Sequence, residues 1–285
     1  MPEGDTIFRT AAALRAVLVG RSISAARAPA RPRTPRPPRL DHLAGNEVRD
    51  VRAVGKQLLI SFAGGETLRT HLGMSGSWHW YPTGATWQRP ERRASVVLET
   101  PDAVAVCFDA RQLELLPAGA EARDPVLRAL GPDLLGEAFD HGEGVARLRA
   151  VGRATIGEAL LDQRAVAGIG NVYRCEILFV EGIHPRTAVA QLTDEELGRL
   201  LTAARRLLRA NAAGGPRSTL PGRNRGLWTY GRAGRPCRRC GTRIASARLG
   251  EQARWVYWCL RCQPERAASP AAAGQTGAAV RRRSG

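Results

Sequence analysis

Four of the chain's six cysteines fall in two pairs, Cys237-x-x-Cys240 and Cys259-x-x-Cys262, separated by eighteen residues. Four thiolates at this spacing can close a tetrahedral shell around one structural Zn²⁺, which pins the segment between them. The acidic opening Met1-Pro2-Glu3-Gly4-Asp5 is no secretory leader, so a reducing compartment is expected and disulfides are disfavoured. Between the pairs, Arg254–Trp258 has the aromatic and β-branched content of a strand, with Gly241–Ile244 as its antiparallel partner. Residues 231–264 are thus expected to form a zinc-binding β-hairpin. Cys107 and Cys175 lie in apolar surroundings and read as core.

The charge balance restricts partners in the same way. In 285 residues there are 43 basic and 26 acidic side chains, a net charge of +17 with a pI near 11.2. Of the basic residues a single one, Lys56, is lysine. A compositional bias accounts for arginine wherever only positive charge matters; the surviving lysine either persists by chance or marks a place needing a compact, titratable ammonium. Residues 197–250 hold thirteen arginines and no acid, a footprint suited to phosphate backbones, with solubilising charge as the alternative. No window approaches the ~18 apolar residues of a membrane span. A soluble, cytoplasmic protein is expected, without membrane partners.

Organisation along the chain is α+β and multidomain. Ile7, Ala11, Leu14, Val17 and Leu18 recur at helical spacing. Residues 27–39, with five arginines and five prolines, read as an exposed loop. Short β-prone runs at 48–54, 57–62, 67–71, 94–99 and 104–108, punctuated by glycine turns, predict an antiparallel β-sandwich in a domain spanning 1–120. Helical periodicity at 124–131, 155–163, 171–181 and 193–212 predicts a helical domain over 121–230, its last helix opened by a Thr193–Glu196 capping box. The Gly/Pro-rich stretch 214–234 reads as a mobile loop, and 265–285 as a disordered basic tail.

The N-terminus carries the chemistry. Removal of Met1 would leave Pro2 as a secondary amine whose α-amino pKa, near 8, allows nucleophilic attack at neutral pH. Glu3 beside it can shuttle protons. Together with Met1-Pro2-Glu3-Gly4-Asp5-Thr6, the motifs Gly55-Lys56, His71-Leu72-Gly73-Met74-Ser75-Gly76 and Gly168-Ile169-Gly170-Asn171-Val172-Tyr173 and the four-cysteine hairpin resemble, in order, the formamidopyrimidine-DNA glycosylase/endonuclease VIII family. The Gly-Asp-Thr opening is most similar to the endonuclease VIII-like branch found in actinobacteria.

The resemblance implies a bifunctional DNA glycosylase/AP lyase of base excision repair, acting on double-stranded DNA with damaged bases or abasic sites. It would be a nucleoid-associated monomer that needs one structural zinc and no redox cofactor. It implies Pro2 as the nucleophile at C1′, Glu3 as proton shuttle and Lys56 as a phosphate or proton donor. Asn171, in a helix–two-turns–helix element, and Arg254, in the zinc hairpin, would meet phosphates. Met74 would fill the gap left by the flipped nucleotide, Arg111 face the orphaned base and Leu113 act as a wedge. His71 is a further phosphate candidate and His184 a structural one.

Thr6 departs from the family by replacing a second glutamate, and Asp5 is expected to point elsewhere on the helix. Oxidised pyrimidines are favoured over oxidised purines. Two other readings fit the charge: a non-catalytic binder of bent or damaged DNA on the same scaffold, and a zinc-ribbon protein for RNA or ribosomes. Neither requires Pro2, Glu3 and Lys56.

Overall fold

The computed structural model describes residues 1–30, 37–152, 154–222 and 225–266. Part of the 27–39 loop and nearly all of the 265–285 tail therefore lie outside the described residues. Helix α1 (Gly4–Leu18) turns Ile7, Ala11, Leu14 and Leu18 into the core, as their spacing predicts. Eight strands follow among the described residues: β1 (Ala25–Arg27), β2 (Val48–Val54), β3 (Gln57–Phe62), β4 (Thr67–His71), β5 (Ser77–Pro82), β6 (Ala94–Glu99), β7 (Ala103–Phe108) and β8 (Gln112–Leu116). They form two antiparallel sheets, β1-β6-β7-β5 and β2-β3-β4-β8. Leu58, Ile60 and Leu68 of one sheet share a core with Val96, Leu98 and Cys107 of the other and with α1. The predicted sandwich is present.

The short strands β1, β5 and β8, each at a sheet edge, are absent from the sequence reading. Along β8 only Leu116 is fully buried, so no apolar run marks it. Its register nevertheless matters: His71 pairs with Gln57 on one side and with Gln112 on the other. Lys56, His71 and Arg111 are thereby brought to the same end of the sheet.

Among the described residues the second half opens with the short exposed helix α2 (Pro125–Arg128), and four further helices pack around Leu148, Ile156, Tyr173, Ile177, Leu197, Leu201 and their neighbours: α3 (His141–Ala150), α4 (Ile156–Ala159), α5 (Asn171–Val180) and α6 (Asp194–Ala212). The α6 capping box is formed, with Glu196 N–H donating to Thr193 Oγ1 at 3.2 Å and Thr193 N–H to Glu196 Oε2 at 2.9 Å. Helix α3 is absent from the sequence reading, since two glycines and few apolar residues blur its stripe.

Strands β9 (Ile244–Leu249) and β10 (Arg254–Cys259) make the terminal hairpin. The partner strand is 244–249 rather than 241–244: Cys259 pairs with Ile244, and Gly241 is spent on the turn between cysteine and strand. Cys175 and Cys107 are both fully buried, as expected.

The two halves meet where the Gly4 N–H donates to the Gly168 carbonyl at 2.9 Å. A side chain at Gly170 would put its Cβ 2.2 Å from Glu3 Cδ, whereas one at Gly198, inside α6, would meet nothing within 4 Å. Gly170→Ala should therefore cost about 1–3 kcal/mol through overpacking, while Gly198→Ala should gain roughly 0.5–1 kcal/mol from helix propensity. Urea unfolding midpoints moving in opposite directions would bear this out; a neutral Gly170→Ala would contradict it.

Candidate active site

Glu3 ends a strand-like approach into α1 and is almost fully buried. Its carboxylate lies on the first turn of α5, accepting N–H groups from Val172 at 2.8 Å, Gly170 at 2.9 Å and Tyr173 at 3.2 Å. A helix N-terminus leaves such donors unsatisfied and favours negative charge. The turn that follows Gly168-Ile169-Gly170 therefore spends three of its donors on Glu3. Burial raises the Glu3 pKa above the ordinary carboxyl value, opposed by Lys56, Arg217 and the α5 amides.

Pro2 borders two cavities. The larger, of about 950 Å³, also contains Glu3, Lys56, His71, Asn171 and Arg254 in its wall. The smaller, of about 520 Å³, is bounded by Asp5, Thr6, Arg9, Met74 and Arg217. The structure thus gathers Pro2, Glu3, Lys56, His71, Met74, Arg111, Asn171 and Arg254 around one space. Met74 is 64% exposed, which excludes a core-filling role. Leu113 stands apart: it is the second residue of β8, paired with Thr70 and packed partly on the sandwich core, so it is no free wedge.

Lys56 sits in the tight β2–β3 turn, and the residues beside it show why. Gly55 has φ +58°, a conformation that favours glycine, and a Cβ there would come within 2.9 Å of the Ala167 side chain. Its N–H donates to Asp133 Oδ2 at 2.8 Å, while Asp133 Oδ1 accepts from Leu135 N–H at 3.0 Å. Burial holds the ammonium pKa down at about 8; Arg254 lowers it further and Glu3 pulls it up. His71 is pushed down to about 4 by burial and by Lys56, Arg111 and Arg69, so it is neutral at pH 7. Its Nδ1 accepts from the Gly73 N–H at 3.2 Å, which leaves the ring proton on Nε2.

Asn171 is also partly committed. Its Nδ2 donates to the Trp255 carbonyl at 2.9 Å and its Oδ1 accepts from Arg174, so in this state it ties α5 to the hairpin. His184 is buried edge-on against Trp258, consistent with a structural part.

Several site residues are absent from the sequence reading. Arg217 forks onto Asp5, with Nε to Oδ2 at 2.9 Å and Nη2 to Oδ1 at 2.6 Å, and reaches Thr6 Oγ1 at 2.8 Å. Asp5 and Thr6 therefore act on one guanidinium, contrary to the expectation that Asp5 points elsewhere. Glu176 is fully buried and accepts from the N–H groups of Trp228, Thr229 and Tyr230 at 2.7–2.9 Å, besides the Thr219 hydroxyl. Of the stretch expected to be mobile, Arg217, Thr219 and Trp228–Tyr230 are anchored at these two points. A glutamate in the middle of the apolar run of α5 was the available signal. Asp109, at φ 51°, is gripped by Arg93 Nε at 2.8 Å, which fixes the loop bearing Arg111.

The four expected cysteine ligands converge: the Sγ atoms of Cys237, Cys240, Cys259 and Cys262 all lie within 4.8 Å of one another. The Cys240–Cys259 and Cys237–Cys262 separations are 3.4 and 4.0 Å. These bracket the roughly 3.8 Å edge of a tetrahedron with 2.3 Å metal–sulfur bonds. The cluster can hold one metal ion.

The structure thus presents Pro2 beside a helix-bound glutamate, between a β-sandwich and a helical domain that carries a four-cysteine hairpin. Two family models match in succession: the formamidopyrimidine-DNA glycosylase N-terminal domain over residues 1–115 and the formamidopyrimidine-DNA glycosylase H2TH domain over 130–220. The chain is 41% identical to a probable endonuclease 8 2 of Streptomyces coelicolor, over 99% of this chain and 100% of that protein. It is 42% identical to the DNA-(apurinic or apyrimidinic site) lyase Nei2 of Mycolicibacterium smegmatis, over 92% and 99%. Lactococcus lactis Fpg, solved in complex with DNA containing an abasic site, shares the fold, with a TM-score of 0.78 at 24% identity over 93% of this chain and 100% of that one. The chain belongs to the formamidopyrimidine-DNA glycosylase family.

Because Lys56 is the chain's one lysine, ¹³Cε-lysine labelling gives a single titrating resonance. Its midpoint should lie near pH 8, against an ordinary value of 10.5, and Arg254→Gln should move it upward by removing a nearby cation. A midpoint above 10 in the unmodified protein would refute the burial of the ammonium.

Proposed function

We propose that the chain is a bifunctional DNA glycosylase and AP lyase of base excision repair. The carrying observation is the place of Pro2, where two cavities meet one residue from a carboxyl fixed on a helix N-terminus. Once Met1 is removed, Pro2 is a secondary amine flanked by the cations of Lys56 and Arg217, which favour its neutral, nucleophilic form. A stacked nucleotide cannot offer C1′ to it, so the damaged nucleotide is flipped out of the duplex. Exposed Met74 fills the vacated step, and Arg111 faces the unpaired base from the rigid loop behind Asp109.

Pro2 attacks C1′ and the base departs. Glu3, with its pKa raised by burial, supplies and recovers protons. The resulting iminium acidifies C2′–H, so the 3′ phosphate leaves by β-elimination and the 5′ phosphate by δ-elimination. Lys56, His71 Nε2 and Arg254 supply donors to the flanking phosphates. The Asp5-Thr6 opening and the endonuclease 8 relatives favour oxidised pyrimidines over oxidised purines. The protein works as a monomer on nucleoid DNA. Retention of Met1 converts Pro2 into an amide, and the same chain is then a damaged-DNA binder without chemistry.

Zinc is the ion proposed for Cys237, Cys240, Cys259 and Cys262. It cross-links the two ends of the hairpin and so holds Arg254 over the larger cavity; it has no chemical step of its own. Thiol modification should release one equivalent of zinc per chain. Duplex affinity should fall with that release while the far-ultraviolet signal of the sandwich persists. Retained affinity after full release would separate the hairpin from DNA binding.

Borohydride added with abasic duplex should yield a covalent adduct whose peptide map places the sugar on Pro2 in chains lacking Met1. Linkage to Lys56, or full activity in chains shown by mass spectrometry to retain Met1, would overturn the mechanism.

A further inference from the structure

The Arg217 guanidinium reaches the N-terminus from a loop that is itself held. Asn211, buried in the last turn of α6, donates to the Ser218 carbonyl at 2.9 Å and accepts from the Ser218 N–H at 2.7 Å, and the next residue is tied to Glu176. From that frame Arg217 grips Asp5 and Thr6 through Nε and Nη2 and lies over the Tyr173 ring at 5.2 Å. Its remaining nitrogen, Nη1, donates to the Met1 carbonyl oxygen at 3.3 Å.

That acceptor belongs to the residue whose removal makes Pro2 an amine. The Met1 carbonyl carbon is bonded to the Pro2 nitrogen, and the oxygen lies one bond beyond. In an adduct of Pro2 with deoxyribose, the atom bonded to nitrogen is C1′ and the ring oxygen one bond beyond is O4′. The Met1 carbonyl group is therefore a stand-in for C1′–O4′. We infer that in the processed chain Arg217 donates Nη1–H to O4′ and stabilises it as the sugar ring opens, a role that rests on the reaction proposed at Pro2.

The step balances without a further reactant. The Pro2 nitrogen, already deprotonated after attack, uses its lone pair to form the C1′=N iminium. The C1′–O4′ bond breaks and its electron pair stays on O4′, which takes a proton from the Glu3 carboxyl. Arg217 keeps its own protons, because a guanidinium does not titrate in this range. Its contribution is a charge-assisted hydrogen bond to an oxygen that gains negative charge, from a donor already aimed there. The fork onto Asp5 fixes the guanidinium plane, which a lysine ammonium could not reproduce.

Processed protein and an abasic duplex test this with no base present. Arg217→Lys keeps a cation opposite Asp5; Asp5→Asn with Arg217→Gln removes both charges, so no buried carboxylate is stranded. In each, borohydride trapping at saturating DNA should slow roughly 10- to 100-fold. Affinity for a duplex bearing a tetrahydrofuran analogue should change far less. Trapping at the unaltered rate, or a slower rate fully matched by lost affinity, would overturn the role of Arg217 while leaving the lyase reading intact. Failure of the unaltered chain to trap would remove both. Should the variants not fold, the structure of the reduced wild-type adduct decides: Nη1 within hydrogen-bond reach of O4′ supports the role, and an O4′ turned away rejects it.

Discussion

A carboxylate three residues from the start of the chain is buried on the N-terminus of a helix some 170 residues later, and the rest of the architecture has to allow it. Desolvating an ion costs several kcal/mol, so the contact persists only because three N–H groups and the α5 dipole replace water. That demand explains the glycines. At Gly170 any Cβ would collide with Glu3, and at Gly4 it would press within 3.0 Å of the Gly168 backbone. Glu3 thereby fixes Pro2 against both domains at once, and a terminus that would otherwise fray becomes one of the most constrained points in the fold.

Helix α5 extends the same logic to the other parts of the site. Its first turn holds Glu3; Asn171 and Arg174 bond the Trp255 carbonyl of β10; Glu176 holds Thr219 and Trp228–Tyr230; Cys175 and Phe179 pack into the hairpin's cores. Arg174 is fully buried, yet the partners around it are carbonyls and the Asn171 amide. Polar groups this deep destabilise a helix unless each finds its partner. The partners outside α5 lie in the N-terminus, the hairpin and the segments around Thr219 and Trp228–Tyr230, so the folding of α5 and the assembly of the site are one event.

This is also why the sequence shows some of the site and hides the rest. The sandwich strands β2, β3, β4 and β6, the capped helix α6 and the cysteine shell are governed by local periodicity or spacing, and these are legible. Pro2, Glu3 and Lys56 stand out through motif and through the rarity of lysine. Arg217 and Glu176 do not, because their meaning comes from partners 212 and up to 54 residues away. Asn171 and the glycine turn are legible as a site, but their donors prove to be spent within the protein. Leu113 misleads for the opposite reason: the family resemblance makes it a wedge, while its own backbone is edge strand.

Two of the cations around Pro2, Lys56 and Arg217, divide a task that neither could perform alone. Lys56, held at about 8 by burial, can give up its proton within the working range, and it survives in a chain where every other basic side chain is arginine. A guanidinium in that turn would stay charged at any pH the protein meets and would need room for a planar fork beside Gly55. Arg217 meets the converse requirement. It must remain charged to neutralise Asp5, and it must present donors in fixed directions, which the planar fork provides and an ammonium does not. At the N-terminus, then, the choice between lysine and arginine follows from whether the position has to titrate.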